Sequence, residues 1–209
     1  MMSLPIMLLL LLMVAGALAP AAQASDREAS ADESQMTTPA TFEGDQIDLA
    51  EGWGEARICL VYTEDHIECF GSETDVEQHF EERARAAGID PDEQPAPQNV
   101  GADACPGGWF EDEWFCLYEY RTFNEDAPAG VTPRRLQFQD VGPCQSLSPY
   151  GFAEQATSWV NNLSNDTRVF DGADPNCNQT AGFLTLSGEA QSAHLGAWNN
   201  RIWSIRILP

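Results

Sequence analysis

Lysine is absent from this chain: the 10 basic residues are all arginine, set against 33 acidic ones, and the formal net charge is −23 at pH 7. A surface of that sign repels nucleic-acid phosphates and anionic headgroups, which excludes nucleic-acid binding and attachment to an acidic membrane. No Cys-x-x-Cys occurs, and His66, His79 and His194 lie far apart in sequence, which disfavours zinc. No Gly-x-Ser-x-Gly, His-Glu-x-x-His or phosphate-binding loop is present. Carboxylates are so abundant that none stands out as a catalytic pair. The expectation is a non-enzyme with no cofactor.

The apolar residues that are present begin at the amino end. Residues 4–19 form an apolar run, and Ala22-Gln23-Ala24 has the small-x-small form of a signal-peptidase site. Pro20 follows the run and no Lys or Arg flanks it, which disfavours a membrane anchor. Residues 1–24 therefore read as a signal peptide, and the mature chain as secreted, extracellular and free of the membrane. Residues 25–50 are polar and acidic with few large apolar side chains, the composition of a disordered linker. Six cysteines follow: Cys59, Cys69, Cys105, Cys116, Cys144 and Cys177. An even number in an exported chain argues for disulfides, although the count alone leaves many pairings open.

Residues 51–88 read as a small hairpin–helix unit. Two β-rich runs flank Thr63-Glu64-Asp65, and a three-residue loop there sets Tyr62 against His66 and Cys59 against Cys69. Directly opposed positions lie within disulfide reach. Thr74 and Glu77 have capping-box spacing, Val76, Phe80, Ala84 and Ala87 recur at helical spacing, and Gly88 supplies a stop. His79 belongs by this reading to a solvated helix face. Residues 89–104 carry three prolines and no periodicity, and read as a linker to a main domain at 105–209.

In residues 114–123, WFCLYEYRTF, five of ten side chains are aromatic, which marks a buried strand and a packed corner. Further apolar runs lie around Leu136, Trp159, Val169, Leu184 and Ile205, divided by Gly, Pro and Asn clusters, the pattern of a β-sandwich. The pattern repeats: Tyr118 and Phe170 are 52 residues apart, Ser158 and Ser204 are 46 apart.

The order Cys105-Pro106-x-Gly108, then Cys116-Leu117-Tyr118-Glu119, resembles the opening of the crystallin-fold peptidase inhibitors, the family of the secreted streptomycete metalloproteinase inhibitors. Arg135-Leu136-Gln137-Phe138, Tyr150-Gly151-Phe152, Thr157-Ser158, Trp198-Asn199-Asn200-Arg201-Ile202 and Ser204-Ile205 continue the resemblance. It implies an all-β main domain, a βγ-crystallin-like sandwich of two Greek-key motifs, preceded here by the hairpin–helix unit. It further implies a Cys105–Cys116 clip at the first strand and a Cys144–Cys177 bridge tying the two motifs together. Glu125 stands where the family has glycine after the aromatic corner, so that corner is expected to be looser or longer, in keeping with an insertion at 126–133.

Two functional expectations follow from the resemblance. The family's calcium element, Asn/Asp-Asn/Asp-x-x-Ser/Thr-Ser, reads AEQATS at 153–158 and NNRIWS at 199–204, so each copy lacks one ligand. Calcium takes six to eight oxygens, which leaves Asn199, Asn200 and Ser204 as a degenerate motif with at most weak binding. Inhibition of an extracellular protease would use a disulfide-braced loop, placed at Asp174, Pro175, Asn176, Cys177 and Asn178 and held by the Cys144 bridge. The other expectation is a structural or stress-protective crystallin-like protein with calcium binding weak or lost.

Overall fold

The strand Phe115–Tyr118 is apolar at every position rather than at every second one, because both of its faces are buried. The computed structural model describes residues 38–90, 105, 113–139, 144–171, 177 and 182–209. Its strands, in chain order, are β1 (Pro39–Phe42), β2 (Asp45–Asp48), β3 (Ile58–Thr63), β4 (His66–Phe70), β5 (Phe115–Tyr118) and β6 (Arg135–Phe138). They continue with β7 (Gln145–Ser146), β8 (Ser158–Asn161), β9 (Thr167–Asp171), β10 (Phe183–Leu186), β11 (Ala190–Ser192) and β12 (Ile202–Ile207). One helix, α1 (Glu73–Ala86), lies between β4 and β5.

Two sheets form: sheet A in the order β11-β8-β5-β6-β3-β4-β1-β2, and sheet B in the order β10-β9-β12-β7. Strands β5–β8 make one Greek key and β9–β12 a second. Each keeps its first, second and fourth strands together and hands its third, β7 or β11, to the other sheet. This is a βγ-crystallin-like sandwich. Phe115, Leu117, Leu136, Phe138, Trp159, Val169, Leu186, Ile202 and Ile205 point inward from the two sheets and fill its core.

The hairpin does not stand apart from this sandwich, as residues 51–88 and 105–209 read separately would have it. Strand β3 pairs in parallel with β6, Ile58 opposite Arg135 through Val61 opposite Phe138, and the whole span Gln35–Pro209 is one compact unit. Nor is the acidic tract wholly a linker. β1 and β2 pair through a two-residue turn at Glu43 and Gly44, both with positive φ, and β1 adds in parallel to β4. The remaining parts of that tract at 25–37, the expected signal peptide at 1–24, and 91–104 of the proline-rich stretch lie outside the described residues. Residues 49–53 wedge against the first motif: Trp53 Nε1 donates to the Tyr150 carbonyl at 2.7 Å. A Cβ at Gly151 would lie 2.5 Å from the Leu49 carbonyl oxygen, so the approach needs glycine there.

The outer face of sheet A carries a second apolar layer. Ile58, Leu60, Tyr62, Cys116, Tyr118 and Val160 pack there against Trp114, Cys105 and the Val76–Phe80–Ala84 stripe of α1. The helix begins two residues earlier than Thr74 would place its cap: Ser72 Oγ accepts from the Asp75 N–H, and the stop lies at Gly88, φ +78. Within this layer Arg135 is fully buried. Its Nε donates to Gln137 Oε1 at 2.6 Å, and its two terminal nitrogens reach the Glu73 carboxylate at 2.8 and 3.2 Å. A charge-assisted guanidinium–carboxylate pair of this kind joins the first motif to the first turn of α1.

Removing one partner of a buried pair strands the other charge, at a cost of about 3 kcal/mol or more. Glu73→Ala is therefore expected to lower unfolding free energy by roughly that amount, measured by urea titration, whereas Glu77→Ala, at the expected cap that the helix does not use, should change it little.

Candidate functional site

The hairpin's strand period sets Tyr62, His66, Glu68 and Phe70 on the face that meets α1, and the helical stripe brings His79 onto the same spot. His79 Nε2 lies 2.9 Å from the Tyr62 hydroxyl and 3.2 Å from Glu68 Oε2, while His66 Nε2 lies 2.9 Å from Glu68 Oε1. Two histidines far apart in sequence thus flank one carboxylate, and His79 faces the sheet instead of solvent. Arg83 lies over the Tyr62 ring at 4.8 Å. Beside this cluster opens a cavity of about 360 Å³, lined among others by Glu43, Glu68, Phe70, Asp75, His79 and Glu82. Burial lowers the His79 pKa from 6.5; Glu68 and Glu82 oppose that shift, and Arg83 and His66 reinforce it. Among the described residues no group of three His, Cys, Asp or Glu side chains is arranged to hold a metal ion.

The two calcium-like elements meet each other across a pseudo-twofold axis. Glu154 and Asn200, at matching positions, both have left-handed backbones (φ 59° and 55°). The Glu154 N–H donates to the Ile202 carbonyl at 2.8 Å, and the Asn200 N–H donates to the Ala156 carbonyl at 3.0 Å. One position further on, the Trp203 and Thr157 carbonyls accept from Leu147 and Leu195 N–H groups, both at 2.8 Å. The backbone oxygens are thus engaged in joining the motifs. In the first copy the hydroxyls are engaged too: Thr157 Oγ1 donates to the Glu119 carbonyl, and Ser158 Oγ donates to that of Tyr120 while accepting from the Phe123 N–H. Of the second copy, Ser204 is fully buried, and Asn199 Oδ1 is buried with no hydrogen-bond partner.

The hydroxyls of Thr157 and Ser158 clamp the aromatic corner, which is neither loose nor built around Glu125. Thr122, Phe123 and Asn124 are all left-handed (φ 51°, 55° and 74°), and Glu125 has returned to φ −62°. Asn124 takes the place expected of glycine: its side chain accepts from the Tyr120 N–H at 3.0 Å and donates to the Arg134 carbonyl at 3.1 Å, offsetting the left-handed cost. The insertion that follows, 126–133, leaves the body as an exposed loop between this corner and β6.

Three bridges form: Cys59–Cys69 across directly opposed positions of β3 and β4, Cys105–Cys116, and Cys144–Cys177. The hairpin holds that cysteine register with a two-residue turn at Glu64-Asp65; Thr63 pairs with His66, and an irregularity at Tyr62 takes up the difference. Closing 33 residues, the third bridge contributes about 3–4 kcal/mol by restricting the unfolded chain. Cys177 is buried at 2% exposure, with its Sγ 3.2 Å from the Ile205 carbonyl oxygen. Asp174, Pro175, Asn176 and Asn178, the rest of the expected inhibitory loop, lie outside the described residues. Three disulfides accord with an oxidising, extracellular setting, and no described helix is long and apolar enough to cross a membrane.

No protein-family model matches the chain, and no curated protein matches its sequence. Among solved structures it is similar to a βγ-crystallin domain from work on the evolution of the eye-lens fold, at 15% identity and TM-score 0.35, over 55% of this chain and 94% of that one. It is also similar to the N-terminal domain of protein S, at 13% identity and TM-score 0.33, over 46% and 94% of the two chains. Spherulin 3A from Physarum polycephalum matches at 18% identity and TM-score 0.31, over 55% and 90%.

The lowered pKa makes a stability prediction. The unfolded chain binds a proton at His79 more readily than the folded one, so His79's contribution is complete above pH 6.5 and is lost as pH falls through the lower folded value. Unfolding free energy, measured from about pH 7 down to 5, should decline less steeply for His79→Gln than for the parent. Equal slopes would show that His79 is not the titrating group.

Proposed function

We propose that the chain is a secreted inhibitor that offers a braced surface connection to an extracellular protease. The observation that carries this reading is the Cys144–Cys177 bridge. It ties Cys177, one residue of the expected inhibitory loop, to Cys144, and Cys177 Sγ lies 3.2 Å from the Ile205 carbonyl oxygen of β12. A connection held in one shape loses little conformational entropy on binding, and that saving appears as affinity. The role is one of binding rather than catalysis. Its closest test is titration into a thermolysin-type metallopeptidase assay, where stoichiometric loss of activity is expected; full activity at about micromolar protein rules the reading out for such enzymes.

A second reading, a structural or stress-protective protein that binds calcium weakly, is favoured by one observation, the unpartnered buried Oδ1 of Asn199. An acceptor oxygen without a donor is a place for a hard cation. Calcium at several times its Kd is then expected to stabilise the fold by about 1 kcal/mol, seen as a rise in Tm over an EDTA control and absent in Asn199→Ala. Asn200→Ala is a poorer test, since alanine at φ 55° destabilises by itself.

A further inference from the structure

We propose that the loop at residues 125–133 is a protease-contacting loop that presents Val131 to an enzyme's cleft. The inference rests on the inhibitory reading above and adds a contact surface in the first motif, in the connection that corresponds to the β9–β10 connection of the second.

The loop is closed at its base and open at its tip. Asn124, 6% exposed, donates from Nδ2 to the Arg134 carbonyl at 3.1 Å, so the two ends are tied directly to each other. Arg134 is in turn fixed. Its backbone N–H and Nε both donate to Glu119 Oε2 at 3.1 Å, Nη2 donates to Oε1 at 3.1 Å, and Nη1 donates to the Gly151 carbonyl at 3.2 Å. Its guanidinium also lies over the Trp53 and Phe152 rings. Between these anchors the Ala127 N–H donates to the Asn124 carbonyl and the Val131 N–H to the Pro128 carbonyl, which sets two successive turns. Pro128 and Pro133 fix their own φ, and Thr132, preceding Pro133, is held to extended geometry. Gly130 turns the tip at φ +83 with open space where a Cβ would stand.

This construction carries an apolar side chain outward. Val131 is 42% exposed, one of two large hydrophobic residues so placed among the described residues. Its neighbours from 127 to 133, Ala-Pro-Ala-Gly-Val-Thr-Pro, bear no charge in a chain of net −23. The tip therefore brings little like-charge repulsion or polar desolvation into a contact. Peptidase clefts take extended segments by backbone hydrogen bonds with pockets for individual side chains. A short, pre-shaped, uncharged segment ending in Val-Thr-Pro suits a cleft with a pocket for a small β-branched residue, and its rigidity spares the ordering cost.

The test uses the full chain with thermolysin as the probe. The parent protein is expected to inhibit stoichiometrically, Val131→Asp to raise the inhibition constant by about 30-fold or more, as for loss of a central anchor, and the β-branched Val131→Ile to stay near the parent. Because Val131 is among the most exposed apolar residues described, the Tm of both variants should stay close to the parent's, which separates lost contact from lost folding. If Val131→Asp inhibits as well as the parent while replacement of Asp174, Pro175, Asn176 and Asn178 by glycine abolishes inhibition, this proposal fails and the inhibitory reading stands. If the parent does not inhibit, both fail.

Discussion

The Arg135 guanidinium is buried in the layer between sheet A and α1, and the docking of the helix onto the crystallin-like sandwich depends on keeping it paired. A charge in that position is tolerable only with its hydrogen bonds satisfied. Gln137, two residues along the same strand face, accepts from Nε, and Glu73, in the first turn of α1, accepts from Nη2 and sets its other carboxylate oxygen 2.8 Å from Nη1. The helix is thereby set in register over the sheet, and its Val76–Phe80–Ala84 stripe covers Tyr118, Val160 and the outer side of β3. The parallel β3–β6 ladder places β3 beside the strand that carries Arg135. An ordinary two-layer sandwich becomes, on one side only, a three-layer structure.

That asymmetry separates the two motifs in use as well as in shape. In sheet A nearly every residue of the central strands is buried, whereas β10 in sheet B keeps Phe183 and Thr185 exposed. The first motif also concentrates its hydrogen bonds at one corner. Three consecutive left-handed residues are held there by Ser158, Asn124 and the Arg134–Glu119 pair, and a loop with an uncharged tip springs from the same place. The Thr157 and Ser158 hydroxyls hold this corner, and the Ala156, Thr157, Ile202 and Trp203 carbonyls accept hydrogen bonds from the opposite motif.

Much of the sandwich was legible in the chain. Val169, Leu184, Leu186, Ile202 and Ile205 lie in strands that the apolar runs mark, since burial of one or both strand faces leaves a local record. The Cys59–Cys69 opposition was legible even though the turn was read one residue too long, because an irregularity at Tyr62 absorbs the difference and leaves the cysteine register unchanged. The β1–β2 hairpin was not legible. Only Ala40 of its strands is fully buried, and an acidic tract with so little apolar surface looks like a solvated chain. His79 was misplaced for a related reason: a helix face with glutamates around it reads as solvated unless the sheet it meets is known.

The sequence by itself determined most of the sandwich strands, the duplicated motif and the acidic, lysine-free character, because each depends on the residue types within a short span. The aromatic run at 114–123 signalled a buried strand and a packed corner. What it could not state was which segment supplies the second cover. The parallel pairing of β3 with β6, the Arg135–Glu73 pair, and the meeting of His66, Glu68 and His79 join residues separated by tens of positions. They were decided by tertiary structure, since a partner's identity across such a distance is set by which surfaces are left uncovered once the local elements have formed. The aromatic stretch names a buried strand; only the fold shows that a helix from the amino-terminal side is what buries it.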